Sequence, residues 1–215
     1  MDGYDADKYK DMVGTGYDSI ADAYFENYRV DIPRVVKDKV AKFDAIFDDG
    51  SELLELGCGN DLPFTKQLAN RHGVIGVDVS AEQIRRAKAN VPSASFINAD
   101  MTSVELPQES FDGVLALYSI IHVPRERHAQ LFASIHSWLK PGGIFTSSHG
   151  SSDSEEWVDP NWFGASMYWS HFAPEVTQRL VRDAGFEIES ADIEELINPG
   201  DGDTERHLWL VARKT

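Results

Sequence analysis

Cysteine is almost absent: Cys58 is the only one in the 215-residue chain. An intramolecular disulfide is therefore excluded, and so is a cysteine-rich metal site. Long apolar runs are missing as well, since none approaches the roughly 20 residues that a membrane helix needs. The opening stretch, MDGYDADKYKDM, has no apolar core of a signal peptide. These absences point to a cytoplasmic protein with no membrane segment. Basic residues are scarce, 20 Lys and Arg against 36 Asp and Glu, and the formal net charge is -16. No compact Lys/Arg cluster interrupts that acidity, so a phosphate backbone would be repelled and nucleic acid is not an expected partner. The seven histidines show no pairing such as H-x-x-x-H on one helix, and no metal site is expected.

What remains is ordinary globular material, 42% hydrophobic and 26% charged, enough for a single domain over 1–215. Tyr17, Ile20, Ala21, Tyr24, Phe25 and Tyr28 recur at helical spacing, and Val35, Val36, Val40, Phe43 and Phe47 repeat the pattern after Pro33. Residues 1–50 thus read as a helical cap ahead of an alternating core. From Glu52 onward short apolar runs alternate with helix-length segments. Strands are expected at Leu53–Leu56, Val74–Val77, Ala94–Ile97, Gly113–Leu117 and Ile144–Ser147. Helices are expected from Pro63 to about His72, over Ala81–Asn90 and over Pro124–Leu139. That alternation implies parallel strands joined by right-handed crossovers. The tail breaks the rhythm: after a helix at Pro174–Ala184, strands at Phe186–Ile193 and Leu208–Ala212 follow one another through the polar turn at Asn198–Thr204. An α/β, doubly wound sheet closed by an antiparallel pair results.

The chemistry gathers where strands end. Leu53-Leu54-Glu55-Leu56-Gly57-Cys58-Gly59-Asn60-Asp61 is a buried strand running into two glycines, with a helix beginning at once. Glycines let a backbone approach a ligand closely and take positive φ, and such a turn lies where doubly wound sheets bind ligands. Asp61 suits the helix cap and Pro63 its first turn. Asp78 ends the second strand about 20 residues later, where a ribose-binding acid is expected. Asp100 follows the third strand and can accept from an adenine amino group, with Met101 against the base. A nicotinamide dehydrogenase would need glycine at position 62, where this chain has Leu62.

These segments resemble the class I S-adenosylmethionine-dependent methyltransferases. Glu55-Leu56-Gly57-Cys58-Gly59 is similar to the family's first motif, Phe111-Asp112-Gly113-Val114 to its fourth-strand motif, and Leu139-Lys140-Pro141-Gly142-Gly143 to the turn before strand five. The resemblance implies a Rossmann-like, seven-stranded, mostly parallel sheet of order 3-2-1-4-5-7-6 with N-terminal helices. It also implies S-adenosyl-L-methionine as cofactor, with Tyr24, Glu55, Gly57, Cys58, Gly59, Asp61, Asp78, Val79, Asp100, Met101 and Tyr118 around it. Where this chain has Asp61, the family often has a third glycine; its carboxylate either meets the ammonium of the methionine moiety or only caps the helix.

Methyl transfer to an oxygen or nitrogen then calls for an acceptor site beyond strands four and five, and for a group that handles its proton. His122 and His149 fall at that edge, and His171 lies among Trp157, Trp162, Phe163, Tyr168, Trp169 and Phe172. The three histidines are the candidate bases. Residues 149–172 are read as an aromatic lid over a small-molecule acceptor, although the same aromatics suit a satellite core patch. Two other functions stay open at this stage: a regulatory protein that binds the cofactor without catalysis, and methylation of a macromolecule.

Overall fold

The computed structural model describes residues 6–28, 32–60, 63–197 and 204–215. Helix α1 (Ala6–Tyr28) and helix α2 (Arg34–Asp44) lead into an alternating series: β1 (Glu52–Leu56), α3 (Pro63–Leu68), β2 (Gly73–Asp78), α4 (Ala81–Asn90), β3 (Ser95–Asn98) and β4 (Phe111–Ala116). Then come α5 (His128–Trp138), β5 (Leu139–Gly150), β6 (Ser154–Trp162), β7 (Ala165–His171), α6 (Pro174–Asp183), β8 (Phe186–Ile197) and β9 (Thr204–Lys214).

Leu53, Leu54 and Leu56 are all buried, as a central strand covered on both faces requires. Among the described residues the main sheet has seven strands in the order β3-β2-β1-β4-β5-β9-β8. Strands β1 to β5 pair in parallel, with α3, α4 and α5 in the connections from β1 to β2, β2 to β3 and β4 to β5. β9 runs antiparallel to both β5 and β8. Counted along the sheet alone, the order is the expected 3-2-1-4-5-7-6. One core lies on the α5 side, around Leu54, Leu56, Phe132, Ile135 and Phe145. A second lies under α2 and α3, around Val40, Phe43, Leu53, Phe64 and Trp209.

Element bounds shift in several places. α3 ends at Leu68, and the chain tightens into turns through Ala69 and His72, whose amides reach Thr65 and Leu68. The segment expected to begin α5 at Pro124 first makes a separate 3-10 turn, Arg125–Arg127. β8 and β9 outrun the expected strands because they pair with each other along nearly their whole length, and β5 outruns its own because β9 pairs with it as far as Gly150.

The main departure is the aromatic segment, where no strand was expected. It folds as the antiparallel hairpin β6–β7, with Trp157 opposite Trp169. Phe163 and Gly164 turn the hairpin with φ of 49° and 97°, the two-positive arrangement whose twist matches paired strands. The hairpin packs on α1: the Tyr9 and Tyr168 rings stack with centroids 4.1 Å apart, and Met167 is buried between the elements. Hydrogen bonding to Glu156, with burial, pushes the Tyr9 hydroxyl up to about 12. Arg125 fastens the hairpin base through Asp153 and Glu155. Among the described residues no helix is long and apolar enough to cross a membrane.

Candidate functional site

At the carboxyl edge of the sheet two cavities meet. The first is a cleft open to solvent, walled by Gly57, Gly59, Asp78, Val79, Asp100 and Met101, with Tyr17, Tyr24, Tyr118 and His122 also lining it. The second is larger and shares those last four residues as its near wall.

The first cavity is built by the turn after β1. Gly57 sits at φ +74°, and a Cβ there would lie 2.2 Å from the Ser119 Cβ, so only glycine lets this turn pass. The Gly59 amide donates to Asp78 Oδ2 at 2.9 Å, and the Ser80 amide donates to Oδ1 at 2.9 Å. The Asp78 carboxylate is thereby held at the end of β2, and burial raises its pKa despite those two bonds. Asp100 accepts from the Thr102 amide and hydroxyl, both at 2.8 Å, in a tight turn after β3. Gln83, on the first turn of α4, is 1% exposed and lines the same wall. Both polar atoms of its amide are buried without a partner among the described residues. Two carboxylates, an unsatisfied amide and a glycine turn form a donor and acceptor set that fits an adenosine.

Tyr118, two residues after the end of β4, has φ +53°. A bulky residue held in that region is strained, and such strain concentrates at functional sites. Its amide donates to Ser148 Oγ at 2.8 Å, which fixes the turn between the two cavities.

His122 lies on the next 3-10 turn, Ile120–His122. Its Nδ1 is 2.7 Å from the Tyr168 carbonyl oxygen, which can only accept, so Nδ1 carries a proton. In the neutral ring Nε2 is then the acceptor, and the Tyr17 hydroxyl donates to it at 2.9 Å. Burial pushes His122 down to about 4, the Tyr168 bond notwithstanding, so the ring is neutral at neutral pH. This chain of bonds links α1, the turn after β4 and the hairpin. α1 is also tied to the nucleotide side, where Asp18 Oδ1 accepts from Ser80 Oγ at 2.6 Å and from the Glu82 amide at 2.9 Å.

The structure brings Tyr24, Gly57, Gly59, Asp78, Val79, Asp100, Met101, Tyr118 and His122 to the first cavity, and His171 to the second. His171 packs its ring over Gly150, where a Cβ would come within 2.3 Å of it. Its Nδ1 is 2.7 Å from the Ser152 carbonyl, and burial lowers its pKa. Three expected site residues face elsewhere. Glu55 is buried beneath the turn, accepting from the Thr65 hydroxyl at 2.6 Å, and burial raises it to about 7. Cys58 is 1% exposed in the cluster with Ile84 and Phe96, and its thiol is pushed well up by burial. His149 is 1% exposed, bonded to Ser147 Oγ at 2.8 Å and pushed down to about 3 by burial; its place on a central strand turns the ring into the core. Asp61 lies outside the described residues.

Sequence reasoning missed Asp18, Gln83 and His207. The first two sit on helix faces whose pattern reads as solvent and core. His207 is the fourth residue of β9, whose reversed direction carries it to the carboxyl edge of the sheet, opposite Gly150.

A family model described as "Methyltransferase domain" matches residues 53–143. The O-methyltransferase resE of Aspergillus sclerotiorum is 30% identical over 165 residues, covering 70% of this chain and 60% of its own. The 27-O-demethylrifamycin SV methyltransferase of Amycolatopsis mediterranei is 38% identical over 101 residues, covering 44% of this chain and 36% of its own. The chain thus spans less than two thirds of the length of these curated relatives. Among solved structures, the Burkholderia thailandensis 1,6-didemethyltoxoflavin-N1-methyltransferase, with 1,6-didemethyltoxoflavin and S-adenosylhomocysteine bound, superposes with a TM-score of 0.72 at 21% identity. That alignment covers 100% of this chain and 92% of that one, and at such identity the likeness is one of fold.

Proposed function

Since the chain belongs to the class I S-adenosylmethionine-dependent methyltransferases, we propose that it transfers a methyl group from S-adenosyl-L-methionine to an oxygen or nitrogen of a small molecule. The observation that carries this reading is the wall common to both cavities, made of Tyr17, Tyr24, Tyr118 and His122. A donor in one cavity and an acceptor in the other would meet there.

Asp78 and Gln83 would hold the ribose, Asp100 and Met101 the adenine side, and the Gly57–Gly59 turn the methionine portion. When bound, the cofactor supplies a methyl carbon already activated by its sulfonium. The protein's part is to align the acceptor and keep water out, and positioning alone is worth about 7–11 kcal/mol. α1 and the hairpin do the enclosing. Neutral His122 holds the Tyr17 hydroxyl at the junction and orients the acceptor, while His171, with its proton on Nδ1, offers Nε2 as a base in the second cavity. His149 has no part, because it reaches neither cavity.

A small-molecule acceptor is supported by the net charge of -16, which disfavours nucleic acid. The names of the rifamycin and toxoflavin enzymes support it too. In this reading 1–215 acts as one domain, with the helices of 1–50 closing the site and 149–172 forming its lid. The test is incubation with methyl-labelled cofactor, separate pools of small metabolites, RNA and protein, and a calorimetric titration with S-adenosylhomocysteine. Label should enter the metabolite pool. Binding without turnover in any pool would make the protein a non-catalytic cofactor binder, and label in RNA or protein would make the acceptor a macromolecule.

A further inference from the structure

The second cavity has one group that the methyl-transfer reading does not use. His207, the fourth residue of β9, stands opposite Gly150 at the end of β5 and lines the second cavity but not the first. Its Nε2 lies 3.1 Å from Glu205 Oε2. A carboxylate oxygen accepts there, so Nε2 carries the proton, and in the neutral ring Nδ1 keeps its lone pair. That Nδ1 is buried and has no hydrogen-bond partner among the described residues. The ring is held edge-to-face against Tyr118, with centroids 5.0 Å apart. A buried acceptor left unpaired is costly, and such groups in folded proteins call for a specific reason. A ligand that donates a hydrogen bond is one.

The rest of the cavity indicates what kind of ligand would bring that donor. Trp157 and Trp169 stack with centroids 4.6 Å apart, and Trp157 is 54% exposed. Trp162 stands at 89° to Trp169 and at 80° to Tyr17, so packed rings form one part of the lining, which Ile32, Val36, Leu196 and Ile197 complete. Aromatic faces and edges of this kind favour another aromatic ring, offset or edge-on. Its rim holds acids and bases of both signs, Asp159, Glu205, Arg206 and His171, so no single ligand charge is selected.

We propose that the second cavity takes a flat aromatic acceptor bearing a hydroxyl or N–H group, and that His207 Nδ1 accepts a hydrogen bond from that group. His207 is then a specificity-determining residue, and Glu205 the group that fixes its tautomer. The proposal rests on the second cavity being the acceptor site.

Calorimetry on the wild-type protein, with no nucleotide present, would compare 2-naphthol, 2-methoxynaphthalene and 1-decanol. The hydroxyl arene should bind at least tenfold more tightly than its methyl ether, and more tightly than the aliphatic alcohol. His207→Phe keeps the ring against Tyr118 but removes Nδ1, and should erase the difference between the two arenes. His207→Asn places an amide oxygen near the Nδ1 position and should restore it. Equal binding of the two arenes by the wild type would overturn the proposal. So would a difference that survives in His207→Phe, decanol binding as tight as naphthol, or no naphthol binding at its solubility limit. S-adenosylhomocysteine plays no part in these titrations, so a cofactor reading that failed would leave their outcome readable, and the reverse holds as well.

Discussion

The hydroxyl of Tyr17 and Nε2 of His122 lie 2.9 Å apart, and that bond joins the first helix to the turn after the fourth strand. It crosses 105 positions of sequence at the boundary between the two cavities. Tyr17→Phe keeps the ring and deletes the donor. We expect kcat to fall about tenfold, the loss of one well-placed hydrogen bond, with S-adenosylhomocysteine affinity changed less than twofold. Equal losses in both would place Tyr17 in cofactor binding instead.

Asp78 accepts from the Gly59 and Ser80 amides and faces the first cavity. Asp78→Ala should weaken S-adenosylhomocysteine roughly tenfold or more, because bonds to a charged acceptor are strong. Calorimetry on the folded variant decides this. Unchanged affinity removes Asp78 from the site, and tight NAD binding by the wild type would remove the cofactor assignment.

Trp169 packs against His122, with ring centroids 5.5 Å apart, and against Trp157 and Trp162. Trp169→Ala should therefore raise the acceptor KM and lower turnover far more than it weakens cofactor binding. If the hairpin is only packing, both steady-state constants stay normal in a folded variant.

His171 has its pKa lowered by burial, so as a base it is neutral and competent above an inflection lying below the usual 6.5. His171→Gln should remove that acidic-limb inflection from the pH–rate profile. A raised KM with the inflection intact would mean that His171 orients the acceptor and does not take its proton.

Glu55 is a carboxyl favoured in its protonated form, about 7 in the folded chain against an ordinary 4.5. Its contribution to stability is full below pH 4.5 and is lost as pH rises through 7, since the unfolded carboxyl ionises first. Glu55→Gln keeps a neutral partner for the Thr65 hydroxyl and removes that loss. Between pH 4.5 and pH 8 urea unfolding of the wild type should lose about 3 kcal/mol more than the variant. Parallel pH curves would show that Glu55 is ionised in the folded chain.

That the glycine turn and the strand-end carboxylates would gather at one cavity was legible because their places follow from local rules. Gly57 and Gly59 close a strand-to-helix turn, and Asp78 and Asp100 sit at the next strand ends, all within 44 residues of sequence read in order. The sheet order needed more, and it came through the motifs that resemble a known family. Glu55 and Cys58 lie in that same motif, yet alternation along the strand and the tightness of the turn aim their side chains inward. Periodicity says which residues share a face; it does not say which face a ligand meets.

The second cavity is a product of tertiary contact. Aromatic residues from Trp157 to Phe172 read as a loop because no hydrophobic period separates them, and the hairpin forms only where Tyr168 and Met167 find α1. His149 and His171 are equally plausible in sequence; one enters the core because it lies within β5, the other reaches a cavity because the hairpin returns beside Gly150. His207 gave no signal at all, since its place depends on β9 running against its neighbours. The sequence by itself determined the strand–helix rhythm, the glycine turn and the carboxylates at strand ends, because each arises from contacts between near neighbours in the chain. Only the tertiary structure decided which histidines line a cavity, because that choice rests on packing between segments far apart in the chain, as the Tyr168–His122 and Tyr17–His122 bonds do at separations of 46 and 105.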